Sequence, residues 1–316
     1  MPVDQRTHQG YSACTEQKQS DFRYLVSYHT KVVKRMYERA AALGRPWPYP
    51  EYWYFDITAG SGRHPTTGDP GSPLIFAEEA ERHGVHATMR LYDLEPSNCD
   101  SLRSELAATK LPCYVIAGDH NETLIPSIPE DPGRPRLGLL YCDTNGTYPP
   151  WPLLADFAKQ KTTSRIDLLL YVAATTIKRL CGAHRDKGFM PLWDALLTIP
   201  KSDWLIRENA GRHQWTFILG TKWSKQQSFK NRDFWRIDSP EGEELLRRLT
   251  DARGCSYGDP SCISDLRRIP APSLFSPRAN SSHAPEQRVV RGVPEAAADR
   301  GPSLTLPGLG DIRHGR

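Results

Sequence analysis

The chain has 316 residues and a formal net charge of +4, from 41 basic and 37 acidic side chains. That length suits one α/β domain with decorations and a tail, and so small a positive excess permits a nucleic-acid partner without demanding one. Only 38% of the residues are hydrophobic while 27 are proline and 23 glycine, so part of the chain is expected to stay outside any packed core.

Seven cysteines, Cys14, Cys99, Cys113, Cys142, Cys181, Cys255 and Cys262, form no CxxC pair and are odd in number. Neither disulfides nor a metal site is therefore expected. Cys113 and Cys142 lie in apolar runs, where a reduced cysteine acts as a small buried hydrophobe. The longest apolar run, 166–174, contains Asp167 and is too short to span a bilayer. With no apolar stretch of the signal-peptide kind, a cytoplasmic protein without a membrane partner is expected.

Residues 1–20 are polar and aperiodic, and they are expected to be disordered. From Asp21 onward, Phe22, Leu25, Val26, Val32, Val33, Met36 and Tyr37 recur at helical spacing until Gly44 and Pro46 stop the run. Lys31, Lys34, Arg35 and Arg39 share the other face, which is either a solvated surface or a phosphate contact. Strands and helices then alternate, with strands at 52–57, 86–92, 113–117, 136–142 and 166–173 and helices at 74–83, 98–109 and 153–160. Ser72 and Pro73 read as the cap and first-turn residue of the first of these helices. Such alternation predicts a mainly parallel sheet covered on both faces. Stretches 203–209 and 213–220, joined by Ala210-Gly211-Arg212, read as an antiparallel hairpin added to the sheet edge. A last helix is expected over 239–251. Residues 255–316 are rich in Pro, Ser, Arg and Ala without periodicity and read as a disordered tail, leaving 21–254 as the folded domain.

The sharpest local signal is a hydrophobic strand running into Asp56 and then Ala59-Gly60-Ser61-Gly62. Glycines at such a turn let the backbone approach a ligand and reach positive φ freely. The next strand ends in Asp93 with Glu95 two residues on, suited to ribose hydroxyls. The spacing from Gly62 exceeds the roughly 20 residues usual for that acid, and the loop 63–72 accounts for the excess. The third strand ends near Asp119 and the fourth at Asp143. Carboxylates at four successive strand ends mark one edge of the sheet, where open α/β sheets bind ligands.

The order of these segments resembles motifs I to IV of class I S-adenosylmethionine-dependent methyltransferases. More narrowly it resembles the bacterial three-Cys-motif partner protein family, in the Tyr54–Gly62 opening, Gly71-Ser72-Pro73, and the segment Asp143 to Gly146. The similarity runs over roughly 22–250. The resemblance implies a Rossmann-like methyltransferase fold: a mainly parallel sheet with an antiparallel hairpin edge, an N-terminal helix and a disordered tail. It implies S-adenosylmethionine as cofactor, with Asp56, Ala59, Gly60 and Gly62 around its methionine part. Asp93, or Glu95 if the register slips, would hold the ribose, and Asp119 would accept from the adenine amino group. Amino-directed DNA methyltransferases carry an acidic or amide residue, two prolines and an aromatic in the fourth segment, for the target amine and an extruded base. Asp143, Asn145, Tyr148 and Trp151 stand in that region as catalytic candidates, split by inserted residues. Either the pocket is remodelled or Pro149-Pro150-Trp151 caps the following helix.

His64, His120 and His184 have no metal spacing and read as surface or loop histidines. Lys178, Arg179, Arg185 and Lys187 form one basic cluster. Lys222, Lys225, Lys230 and Arg232 form another, interleaved with Trp223, Phe229, Phe234 and Trp235. Basic residues mixed with aromatics suit nucleic-acid contact, or equally an ordinary loop with anchoring rings. The expectation is methyl transfer to DNA or RNA in a bacterial or phage setting. Two alternatives stand beside it: a catalytically diverged cofactor-binding partner of a protein with a three-cysteine motif, and a small-molecule methyltransferase.

Overall fold

A computed structural model of the chain describes residues 13–44, 51–129, 136–144, 148–174, 190–208, 215–222 and 233–251. All of these belong to Met1–Ile269, the first of two units into which the chain divides; the second, Pro270–Arg316, lies outside the described residues, as does the whole of the tail expected at 255–316.

Eight strands form one sheet: β1 (Tyr52–Asp56), β2 (Ala87–Asp93), β3 (Cys113–Ala117), β4 (Leu137–Asp143), β5 (Ile166–Ala173), β6 (Asp203–Arg207), β7 (Trp215–Thr221) and β8 (Phe234–Arg236). Their order is β3-β2-β1-β4-β5-β7-β6-β8. The five strands from β3 to β5 run parallel, while β7 is antiparallel to both β5 and β6, and β8 to β6. The fold is thus the Rossmann-like one expected, with an antiparallel edge. The predicted hairpin strands do pair, but it is the second, β7, that joins β5, and β8 extends the edge further. The chain leaves β1 in one direction and returns to β4 on its other side, so a crevice opens at the carboxyl ends of these two strands.

Strands buried on both faces read as continuous apolar runs whose alternate residues serve different layers. In β1, Tyr52 and Tyr54 face one core while Trp53 and Phe55 face the other. The first core is closed by α1 (Ala13–Ala42), α2 (Ser72–His83) and α3 (Pro96–Glu105), the second by α5 (Trp151–Lys159), α6 (Met190–Leu197) and α7 (Pro240–Asp251). A single turn, α4 (His120–Thr123), follows β3. Phe76 of α2 stacks on Tyr54 with ring centroids 3.9 Å apart and 6° between planes.

Helix α1 starts at Ala13 rather than Asp21, so 13–20 are helical where disorder was expected. The reason is tertiary. Lys18 and Gln19 reach partners on the sheet edge and on the following loop, which no apolar period records. Farther along, buried Phe22, Leu25, Val26 and Val33 dock the helix, and Asp21–Arg207 (3.0 Å), Arg23–Glu79 (3.2 Å) and His29–Asp167 (3.1 Å) pin it. Lys31, Lys34, Arg35 and Arg39 are exposed.

Candidate functional site

After β1 the backbone ladder continues through Ile57 N–H to Tyr141 O (3.2 Å) and Ala59 N–H to Tyr92 O (2.9 Å), then breaks at the glycines. Gly60 has φ +64°, and a Cβ there would meet nothing within 4 Å, so the turn faces open space. Gly62 has φ +90° for a different reason, since its Cβ would lie 3.0 Å from Leu102 Cδ1 of α3. One glycine leaves room for a ligand and the other for a helix.

Asp93 braces this turn. Its Oδ2 accepts from Gly60 N–H at 2.9 Å, and its Oδ1 accepts from Glu95 N–H and Asn98 Nδ2, both at 2.9 Å. Oδ1 thus has two donors, while Oδ2, with one, keeps a second lone pair as acceptor capacity. Glu95 is exposed on the rim just before α3. Asp119 caps α4, with Oδ1 accepting from Asn121 N–H and Nδ2 at 2.8 Å each, and these bonds hold its carboxyl below the usual range.

Asp56 is fully buried at the end of β1. It accepts from Ser72 Oγ (2.6 Å), Tyr54 Oη (3.0 Å) and Thr58 N–H (3.1 Å). Burial pushes its carboxyl up to about 6, opposed by those hydrogen bonds and reinforced by the charge of Asp143. The serine expected to cap α2 makes no capping bond; Gly71 stands at the N-cap, because Ser72 Oγ turns inward to the carboxylate.

Asp143 ends β4 on the same face, beside Tyr171 of β5 in the sheet register. Its backbone N–H donates to Thr58 Oγ1 at 3.0 Å, tying the ends of β1 and β4 across the crevice. Oδ2 accepts from Lys18 Nζ at 2.7 Å and from Tyr141 Oη at 3.4 Å, and Lys18 Nζ lies 4.7 Å from the Tyr171 ring centroid. The structure thus gathers Asp56, Ala59, Gly60, Gly62, Asp93 and Asp143 around one strand-end crevice. Sequence reading missed Thr58, Ser72 as a carboxylate ligand, Tyr171 and Lys18. A hydroxyl two residues after Asp56 was a legible signal for Thr58; Lys18 had none, lying in a polar aperiodic stretch.

The fourth segment divides. Asn145 lies outside the described residues. Tyr148 is 44% exposed. Trp151 packs against the second core, with Nε1 buried and lacking a partner among the described residues, and Pro150 stands at the N-cap of α5. The proline pair therefore opens a helix, and the indole belongs to its packing.

Of the basic clusters, Lys178, Arg179, Arg185, Lys187, Lys225, Lys230 and Arg232, with Trp223 and Phe229, lie outside the described residues, as does His184. Phe234, considered for base contact, is a core residue at 2% exposure, and Trp235 packs partly against the second core. His64 Nδ1 receives Thr66 and Thr67 N–H within its own loop, and burial pushes the His120 imidazole down. Among the described residues no group of His, Cys, Asp and Glu could hold a metal, and no helix is long and apolar enough to cross a membrane.

No family model and no curated protein matches the chain. Solved structures do. The CMeT domain of the citrinin polyketide synthase is 14% identical over 57% of this chain and 47% of that one, with a TM-score of 0.38. Protein LPL1258 from Legionella pneumophila is 13% identical over 73% of this chain and 94% of that one, with a TM-score of 0.41. The S-adenosylmethionine-dependent methyltransferase SibL is 14% identical over 54% of this chain and 50% of that one, with a TM-score of 0.36. The chain spans about half the length of the citrinin and SibL structures. Identities and scores this low leave the functional reading to the geometry of the crevice itself.

Proposed function

We propose that this chain binds S-adenosylmethionine at the carboxyl ends of β1, β2 and β4 and acts as a methyltransferase. The observation that carries the reading is the turn Ala59 to Gly62: Gly60 faces open space at positive φ while Asp93 grips its N–H, at the point where the sheet order reverses. Asp56 and the glycine turn would border the methionine part, Asp93 and Glu95 the ribose, and Asp119 the adenine. Carboxylates and backbone carbonyls are acceptors, which suits a ligand carrying an ammonium, hydroxyls and an exocyclic amine. Such a cofactor supplies an electrophilic methyl on sulfonium, and the protein supplies orientation.

Asp143 would accept a hydrogen bond from an acceptor amine, with Tyr148 the exposed aromatic beside it in sequence and Asn145 between them. A nucleic acid is the proposed acceptor, on the strength of the basic and aromatic residues around Lys222. A second reading, a diverged cofactor-binding partner of another protein such as the three-cysteine-motif kind, is favoured by Trp151, whose half-buried ring packs against the second core.

Calorimetry with S-adenosylmethionine and S-adenosylhomocysteine tests the cofactor. Binding by the wild type that Asp93→Ala weakens is the expected result, and no binding at all overturns the reading. Transfer of tritiated methyl to mixed nucleic acids then separates the enzyme from the partner.

A further inference from the structure

Lys18 is the cation that reaches the crevice from α1. It belongs to the first turns of the helix, ahead of the residues that dock it: Asp21 on Arg207, Phe22 on Tyr141 with ring centroids 4.4 Å apart, and Arg23 on Glu79. Its ammonium meets the Asp143 carboxylate at 2.7 Å and the Tyr171 ring face at 4.7 Å from the centroid. The side chains of Lys18 and Asp143 are 22% and 10% exposed, so the pair is largely shielded from water. A carboxylate beside an aromatic face is a recurrent receptor for alkylammonium groups, because the anion neutralises the charge and the ring quadrupole attracts it.

The position matters as much as the chemistry. Thr58 joins Asp143 to the start of the glycine turn, and Gln19, next to Lys18, donates to Pro70 O in the loop that follows that turn. The cage is therefore tied to Thr58, two positions before Gly60 and its open space. Among the described residues, Lys18 pairs with Asp143, and the charge of Asp143 is felt by Asp56. A lysine stem is long and flexible, and it can swing out without undocking a helix held by Phe22, Leu25 and Val26.

We propose that Asp143 and Tyr171 form a binding subsite for an organic ammonium group, which Lys18 and the ligand occupy in exchange. This deepens the reading above and rests on it for the identity of the ligand. The ammonium comes either from the methionine end of the cofactor or from an amine acceptor; Lys18 is a positioning residue that sets how strongly the subsite selects for charge.

The test compares wild type with Lys18→Met by calorimetry, using three probes: S-adenosylhomocysteine, 5′-methylthioadenosine, which lacks the ammonium, and n-butylamine, protonated at neutral pH. Apparent affinity scales with the fraction of molecules whose subsite is open, so removing a lysine that fills it nine-tenths of the time tightens the ligand about tenfold. The expected result is such tightening of S-adenosylhomocysteine with methylthioadenosine unchanged, which assigns the cofactor's ammonium. Tightening of n-butylamine alone assigns the acceptor's amine. Lys18→Arg, which keeps the cation, retains wild-type values. Affinities unchanged for every probe overturn the proposal, and so does weaker S-adenosylhomocysteine binding to Lys18→Met, which would make Lys18 a ligand for the cofactor's carboxylate. Wild type that fails to bind methylthioadenosine counts against the cofactor reading instead, and the n-butylamine arm still decides the subsite. Lys18→Gln repeats the comparison should the Met variant melt early.

Discussion

The Ser72 hydroxyl donates to Asp56 Oδ2 at 2.6 Å, which fastens the first turn of α2 to the end of β1 beneath the glycine turn. With Tyr54 and Thr58 it forms the donor shell of a carboxylate that has no contact with water. That shell does not fully offset burial, and the carboxyl sits at about 6 against an ordinary 3.8.

A pH dependence follows. Because the folded-state value is raised, the folded protein holds the proton that the unfolded chain releases between about pH 4 and 6. The stability this group contributes is therefore present at low pH and lost as pH rises through its folded value. The difference amounts to about 3 kcal/mol at 1.36 kcal/mol per unit. Asp56→Asn, which still accepts from Ser72 and Tyr54, removes that titration. Urea unfolding from pH 4 to 7 is expected to show the variant gaining on wild type as pH rises. A constant gap across the range counts against a raised Asp56.

The two glycines of the turn separate folding from binding. Gly62→Ala places a Cβ 3.0 Å from Leu102 Cδ1 at φ +90°, and its cost is expected chiefly as lower stability. A non-glycine residue in that region is strained by about 1–3 kcal/mol. Gly60→Val carries the same kind of strain at φ +64° but meets no protein atom within 4 Å at its Cβ, so beyond that shared cost its effect is expected on cofactor affinity, by filling the crevice. Melting and calorimetry on both variants check the split; equal loss of binding with equal melting shifts removes it.

Trp151 and Tyr148 are expected to part company in the same way. Trp151→Ala removes a half-buried ring packed against the second core and is expected to cost stability by about 1–3 kcal/mol. Tyr148 is exposed, and Tyr148→Ala is expected to leave stability within about 0.5 kcal/mol. If Tyr148 stacks on a base, the same change weakens nucleic-acid binding by about 1–3 kcal/mol. Melting and fluorescence-anisotropy titrations on both variants give the four numbers needed.

Phosphate contact by the basic cluster is read from salt. Affinity for nucleic acid is expected to fall steeply with salt concentration, in proportion to the charges neutralised. Replacing Lys222, Lys225 and Lys230 together is expected to flatten the dependence while cofactor binding stays unchanged, since surface charges of this kind rarely support a fold. No binding even at low salt would move the protein-partner reading ahead of the nucleic-acid one.

By itself the sequence determined the five parallel strands, the glycine turn after Asp56 and the carboxylates at the strand ends. Each is a local property: a buried strand must be apolar throughout, a turn at positive φ must be glycine, and an acid just past a strand lies at its carboxyl edge. Only the tertiary structure decided what those groups touch. Ser72 left its expected cap for a carboxylate 16 positions away, and Lys18 met Asp143 across 125. The helix at Ala13, read as disordered chain, exists because that edge offers its polar side chains partners. Trp151 packs against the core because α5 turns it toward the second hydrophobic layer. Contacts between residues so far apart in sequence carry no period and no propensity, since they are set by which elements the sheet order brings together.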